Sequence, residues 1–171
     1  MPPKLRGKWA LGITPRNFTW ILKDKLAICE RPGGYGDNHR RVRRQEEIIW
    51  IRENGFNYAI SIIQAPHNLH NYEELNLPYR HRPYQGDDRD RWLKAFYTEL
   101  DDLLQHGNKL LVHGEELGDR LVGIMGGYIR WAGLVDEDTK AIEVTERLTG
   151  RQLDPWARDV IMVAAHLHDA D

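Results

Sequence analysis

Between Gly86 and Trp131 the chain passes through a helix, a short strand, a tight loop and a second helix, an order that few folds accommodate. GDDRDRWLKAFYTELDDLLQHG places Trp92, Phe96, Leu100, Leu103 and Leu104 on one helical stripe, and Gly107 follows its end. KLLV (Lys109–Val112) reads as the strand that leads into the loop. Strands joined through helices pair in parallel, and a parallel sheet needs helices to cover it.

The remainder repeats the alternation. FTWILKDKLAICERPGG reads as two short strands around Lys23-Asp24, closed by Pro-Gly-Gly. HRRVRRQEEIIWIRENGF sets Val42, Glu46, Ile49 and Trp50 on one side of a helix that Gly55 stops. NYAISII (Asn57–Ile63) predicts a buried strand, and YRHRPY a short one. Helices follow from Asp119 to about Ala132, from Asp136 as N-cap to Gly150, and from Asp154-Pro155 onward. The expected fold class is α/β, a three-layer α/β/α arrangement with a small, largely parallel sheet. With no long linker, residues 1–171 are expected to form a single domain.

Composition excludes several functions. Hydrophobic residues at 41% and charged residues at 29% suit a globular chain, and a net charge of −2 gives no general attraction for nucleic acid. No apolar run is long enough to span a bilayer, and MPPKLRGKWALGITPRNF lacks a signal-peptide core. One cysteine, Cys29, rules out an intrachain disulfide, so a cytoplasmic location is expected.

Chemistry concentrates in HGEELGDR, His113–Arg120. A strand, a tight loop and a helix start turn successive N–H groups toward one point, where the helix dipole favours an anion. Arg120 could grip a phosphate with both arms of its guanidinium. A cysteine at position 114 would be a stabilised thiolate able to attack phosphorus, but Gly114 has no atom for that task.

This stretch resembles the signature of the cysteine-dependent protein tyrosine and dual-specificity phosphatases: His-Cys, five residues, Arg, with a loop glycine and a Ser or Thr after the Arg. His113 matches the His and Arg120 the Arg, while Gly114 replaces the Cys. The resemblance spans most of the chain. ITPRNFTWILKDKLAICERPGG is similar to the family's first strands, ENGFNYAISII to a helix end running into a sheet strand, and YRHRPYQGDD to its general-acid loop. It implies the phosphatase fold, with Asp87 or Asp88 at the general-acid position (Asp87 preferred) and an anion-binding loop of His113, Gly114, Glu115, Glu116, Leu117, Gly118, Asp119 and Arg120. The competing reading of Asp87 or Asp88 is a helix cap.

The departures point away from turnover. Leu117 stands where the family has its loop glycine, Asp119 where a small residue is usual, and Leu121 where Ser or Thr helps the thiolate leave. Glu115, Glu116 and Asp119 surround a single Arg with negative charge. The resemblance therefore implies a pseudophosphatase of the serine/threonine/tyrosine-interacting type, binding a protein or phosphoprotein, with an anionic ligand at Arg120 and no cofactor. Two alternatives stay open: an enzyme with repurposed acidic-loop chemistry, and a phosphatase inactivated at position 114.

Other candidates have bland readings beside the sharp ones. HRRVRR (His39–Arg44) could meet a phosphoprotein, a phosphoinositide or RNA, or be a solvated helix face balanced by Glu46 and Glu47. His67 with His70, and His166 with His168, Asp169 and Asp171, invite a metal but lack the context of a zinc motif, so no metal site is expected. Ser61 and Cys29 fall on buried strands, without the surroundings of a nucleophile. Trp20, Trp50, Trp92 and Trp131 are expected in the core; Trp9 and Trp156, near element starts, are either exposed contacts or packed.

Overall fold

A computed structural model of the chain describes residues 11–66 and 68–168. They group into two compact units, each discontinuous in sequence. The first comprises the chain up to Pro83 together with Asn108–Glu116, and the second Tyr84–Gly107 and the chain from Leu117 on.

The first unit contains the whole sheet. Its strands are β1 (Thr19–Leu22), β2 (Leu26–Cys29), β3 (Tyr58–Ser61), β4 (Tyr79–His81) and β5 (Leu110–His113), in the order β1-β2-β5-β3-β4. β1 and β2 form an antiparallel hairpin at Lys23-Asp24, where Asp24 takes a left-handed φ of 63°; every other pairing is parallel. All four residues of LAIC and of LLVH are buried, which is why these runs show no polar alternation.

Two helices, α1 (Arg41–Glu53) and α2 (His70–Glu74), belong to the same unit. Ile48 and Ile51 of α1 and Tyr72 of α2 join Ala27, Cys29, Ala59 and Leu111 of the strands in one apolar cluster. Phe56 packs there too, with Trp20 stacked on it at 5.8 Å and Phe18 edge-on at 6.1 Å. Ile49 is buried as expected, but the rest of the face differs: Val42 is 65% exposed, while Arg44, Glu47, Ile48 and Ile51 turn inward. Of the two polar residues on the buried stripe, Glu47 accepts from the Gly33 amide and Arg43, whereas Arg44 bonds to His39 and leaves its Nε–H without an acceptor.

The second unit is helical, with α3 (Arg89–Gln105), α4 (Asp119–Trp131), α5 (Asp138–Thr149) and α6 (Pro155–Ala164). α3 buries Leu93, Phe96, Tyr97, Leu100 and Leu103; Trp92 and Leu104 from the expected stripe are half-buried at its margins. α4 buries nine consecutive residues, Leu121–Ile129, so it is surrounded rather than amphipathic. Gly123 lets it meet Ala157 of α6 closely, and the Tyr97 hydroxyl donates to the Ile124 carbonyl at 2.5 Å.

Capping partly follows expectation. Asp154 accepts from the Ala157 amide at 2.8 Å with Pro155 at the first helical position. Asp136 does not cap α5: that place falls to Glu137, whose side chain makes no cap bond, and Asp138 instead pairs with Arg130 at 2.8 Å. Trp20, Trp50, Trp92 and Trp131 are half-buried rather than central, as large rings with one polar edge often are.

Candidate functional site

The stretch from His113 to Arg120 runs from the last residue of β5 into the first turn of α4. The first unit ends at Glu116 and the second resumes at Leu117, so the two halves are built separately.

In the first half, His113 is 3% exposed and pairs in register with Cys29 on one side and Ser61 on the other. Sequence separation concealed this row; parallel pairing creates it. Nδ1 of His113 lies 3.2 Å from the Gly114 carbonyl, which can only accept, so Nδ1 is protonated. Nε2 therefore accepts from the Tyr72 hydroxyl, 2.9 Å away. Burial lowers the His113 pKa to about 4, and nearby Arg31 and His81 add to the effect. Desolvation also holds the Cys29 thiol well above its ordinary range, with Glu47 and Glu30 adding to it. Cys29 is thus a neutral thiol and no substitute nucleophile.

The depressed His113 pKa has a signed consequence. The unfolded imidazole takes a proton near pH 6.5 and the folded one near pH 4, so stability present above pH 6.5 is lost as pH falls toward 4. The expected loss across that window is about 3 kcal/mol. NMR titration of the ring checks it: protonation of His113 near pH 6.5 would refute the assignment.

Glu115 is exposed and faces Arg31 at 3.4 Å, while its carbonyl accepts from the Arg31 amide at 3.1 Å. Glu116 is exposed and Gly114 buried.

In the second half, Arg151 organises the chain. It donates to the Leu117 carbonyl at 2.6 Å and pairs with Asp119 at 3.2 Å. Asp119 opens α4, where a carboxylate also suits the helix dipole. Gly118 precedes it with extended dihedrals, φ −103° and ψ −178°. Arg120 is exposed, its guanidinium 5.1 Å above the Tyr84 ring and 5.9 Å from that of Trp156. Trp156 is therefore half-buried against Tyr84 and Arg120 rather than free.

None of residues 113–120 has a positive φ. Leu117 therefore suffers none of the steric strain that a left-handed position would impose. Asp88 accepts from the Arg91 amide at 3.3 Å as N-cap of α3, and Asp87 is exposed.

The other candidates resolve individually. Arg43 and Arg44 of HRRVRR are drawn inward, whereas Arg40 and Arg41 are exposed. His168 donates from Nε2 to the Trp131 carbonyl at 2.8 Å and stacks on the Trp131 ring at 4.4 Å. Trp9, His67, Asp169 and Asp171 lie outside the described residues. Among those described, no three His, Cys, Asp or Glu side chains gather as metal ligands, and no helix is long and apolar enough to cross a membrane. Sequence reasoning missed Arg31, Arg151, Tyr72 and the Glu30–Arg43–Glu47 group; one signal lay in the polar letters at 44 and 47, in phase with Ile48 and Ile51.

No protein-family model matches the chain, and no curated protein matches it. Solved structures do. Kinase-associated phosphatase, with serine substituted for its catalytic cysteine, superposes with a TM-score of 0.69 at 16% identity, covering 91% of this chain and 94% of that one. Tk-PTP in its active form gives 0.68 at 12% identity, covering 88% and 97%. A human tyrosine phosphatase-like serine/threonine/tyrosine-interacting protein gives 0.62 at 15%, covering 90% and 98%. With its five-stranded, mostly parallel sheet and six α-helices among the described residues, the chain has the α/β fold of the dual-specificity and tyrosine phosphatases.

Proposed function

We propose that this chain is a catalytically silent phosphatase-fold protein that works by binding or scaffolding a protein or phosphoprotein partner. The observation behind the reading is that no nucleophile stands at the end of β5. Gly114 has no side chain, both nitrogens of His113 are engaged, and Cys29 in the neighbouring strand is buried as a neutral thiol. A general acid at Asp87 or Asp88 has no attack to assist, and Asp88 already serves as a cap. The human relative without an enzyme's name, a phosphatase-like interacting protein, supports the same role.

Residues 113–120 are the proposed contact segment, with Arg120 as the candidate cation for an anionic ligand; Arg120 and Glu116 are both exposed. Glu115 and Asp119 each hold an arginine, which favours a structural over a catalytic use. We read the chain as one phosphatase-like domain: it crosses between the two units three times, and one neighbour covers 91% of it. A cytoplasmic setting fits its single, buried cysteine.

Hydrolysis of an aryl phosphate tests the reading. The unaltered protein is expected to match buffer alone. Gly114→Cys, which the backbone accepts because position 114 is not left-handed, is expected to remain inactive. A kcat of about 1 s⁻¹ or more in that variant would instead favour a phosphatase inactivated at position 114.

A further inference from the structure

The first unit contains a recess beside His113 that the phosphatase resemblance leaves unused. It is open to solvent and is lined by Arg31, Arg44, Ile48, Asn68, Tyr72 and His113 among others. Its cavity volume is about 10 Å³, room for about one water-sized group, so a ligand would seat one oxygen in it and keep the rest at its mouth.

Its two arginines are poorly satisfied. Arg44 is 8% exposed, and its Nε–H is buried without an acceptor. One bond is made, from Nη1 to Nε2 of His39 at 3.1 Å. A guanidinium only donates, so His39 accepts as a neutral ring and returns no negative charge. Consistently, burial and then Arg31 and Arg44 lower the His39 pKa. Arg31 has Glu115 as its ion-pair partner, but those contacts of 3.4 and 3.5 Å are long for a charge-assisted bond, and the Glu115 side chain is 46% exposed. Glu74, the carboxylate felt by Arg44, is engaged by the Asn71 amide at 3.0 Å. Two guanidinium groups thus line one recess with little to neutralise them, an arrangement that matches a dianion better than a single carboxylate.

We propose that the Arg31–Arg44 recess binds a phosphate-type dianion, either free or borne on a phosphorylated side chain. Arg120 is not among the residues that line the recess, and the proposal holds whether or not the chain turns over phosphate esters.

A thermal-shift titration of the full chain tests it, with inorganic phosphate and phosphotyrosine as probes and chloride at matched ionic strength as control. Saturating phosphate is expected to raise Tm by about 5 °C or more. Arg120→Ala should keep that rise. Arg31→Gln and Arg44→Gln should each lose it, with affinity reduced at least about tenfold, the effect of one charge-assisted bond. Arg31→Gln carries the test if Arg44→Gln folds poorly, because Arg31 is the more accessible of the two. Tighter saturation by phosphotyrosine would assign the anion to a modified side chain; tighter saturation by phosphate would assign it to the free ion. The proposal is overturned if phosphate gives no saturable rise, if Arg31→Gln retains it, or if Arg120→Ala alone abolishes it. These outcomes are independent of the aryl phosphatase assay, so the two readings can fail separately.

Discussion

Replacing Arg43 by alanine is expected to destabilise the protein by about 3–5 kcal/mol at neutral pH, the cost of leaving a buried charge without its partner. The Glu47 side chain is 0% exposed and that of Glu30 is 6% exposed. Arg43 bridges them, donating from Nε to Glu47 and from Nη2 to Glu30 at 3.4 Å. The Gly33 amide donates to Glu47 at 3.2 Å and the Asn17 side chain to Glu30 at 3.2 Å. Without the guanidinium, two buried carboxylates share neutral donors alone.

The penalty carries a pH signature. Burial already raises the Glu47 pKa against the lowering effect of Arg43, and removing Arg43 raises it further. A carboxyl with a raised folded pKa binds its proton more readily folded than unfolded, so the variant recovers stability as pH falls. Denaturant melts should show a smaller loss at pH 5 than at pH 7.5. Adding Glu47→Gln should return part of it, since the amide oxygen still accepts from Gly33. A loss below about 1 kcal/mol would place the group with surface ion pairs and refute its structural role.

The second large effect concerns Gly123→Ala. A methyl group there would lie 2.7 Å from both Cα and Cβ of Ala157, on the neighbouring α6. Backbone on a packed helix cannot rotate aside, so α4 and α6 must separate. Alanine gains about 1 kcal/mol in helix propensity over glycine. Overpacking costs about 1–3 kcal/mol, and rigid obstacles sit at or beyond the upper end. The expected net loss is about 2 kcal/mol, read as a fall in Tm of about 4–8 °C. Gly126→Ala should cost less, because the nearest obstacles, Ile161 Cδ1 and Thr145 Oγ1 at 2.8 Å, are side-chain atoms. A stabilised Gly123→Ala would mean that the two helices leave room for a methyl.

Elements whose partners are other parts of the same pattern were legible from the amino acids. LAIC was legible as a short strand after Lys23-Asp24 and KLLV as the strand entering the loop, and burial of every residue in LAIC and LLVH explains why neither alternates. Asp154-Pro155 announces its helix because cap and proline act within one turn. The gap at Gly114 and the flanking His113 and Arg120 are equally plain from order alone.

Other features depend on neighbours distant in the chain. Apolar spacing put Val42 on the buried side of α1, yet Glu47 goes inward because Gly33 and Arg43 supply its hydrogen bonds. Cys29 and His113 lie 84 positions apart, and it is register that makes them adjacent. Arg31 and Arg44 come to line one recess through the loop after β2 and the turn of α1. The succession of strands and helices, and the absence of a nucleophile at position 114, are legible from the amino acids alone because periodicity and residue type are local properties. Which charges are buried, which tautomer His113 adopts and where unneutralised arginines meet were decided by the tertiary structure, because desolvation and hydrogen bonding act between groups that only folding brings together.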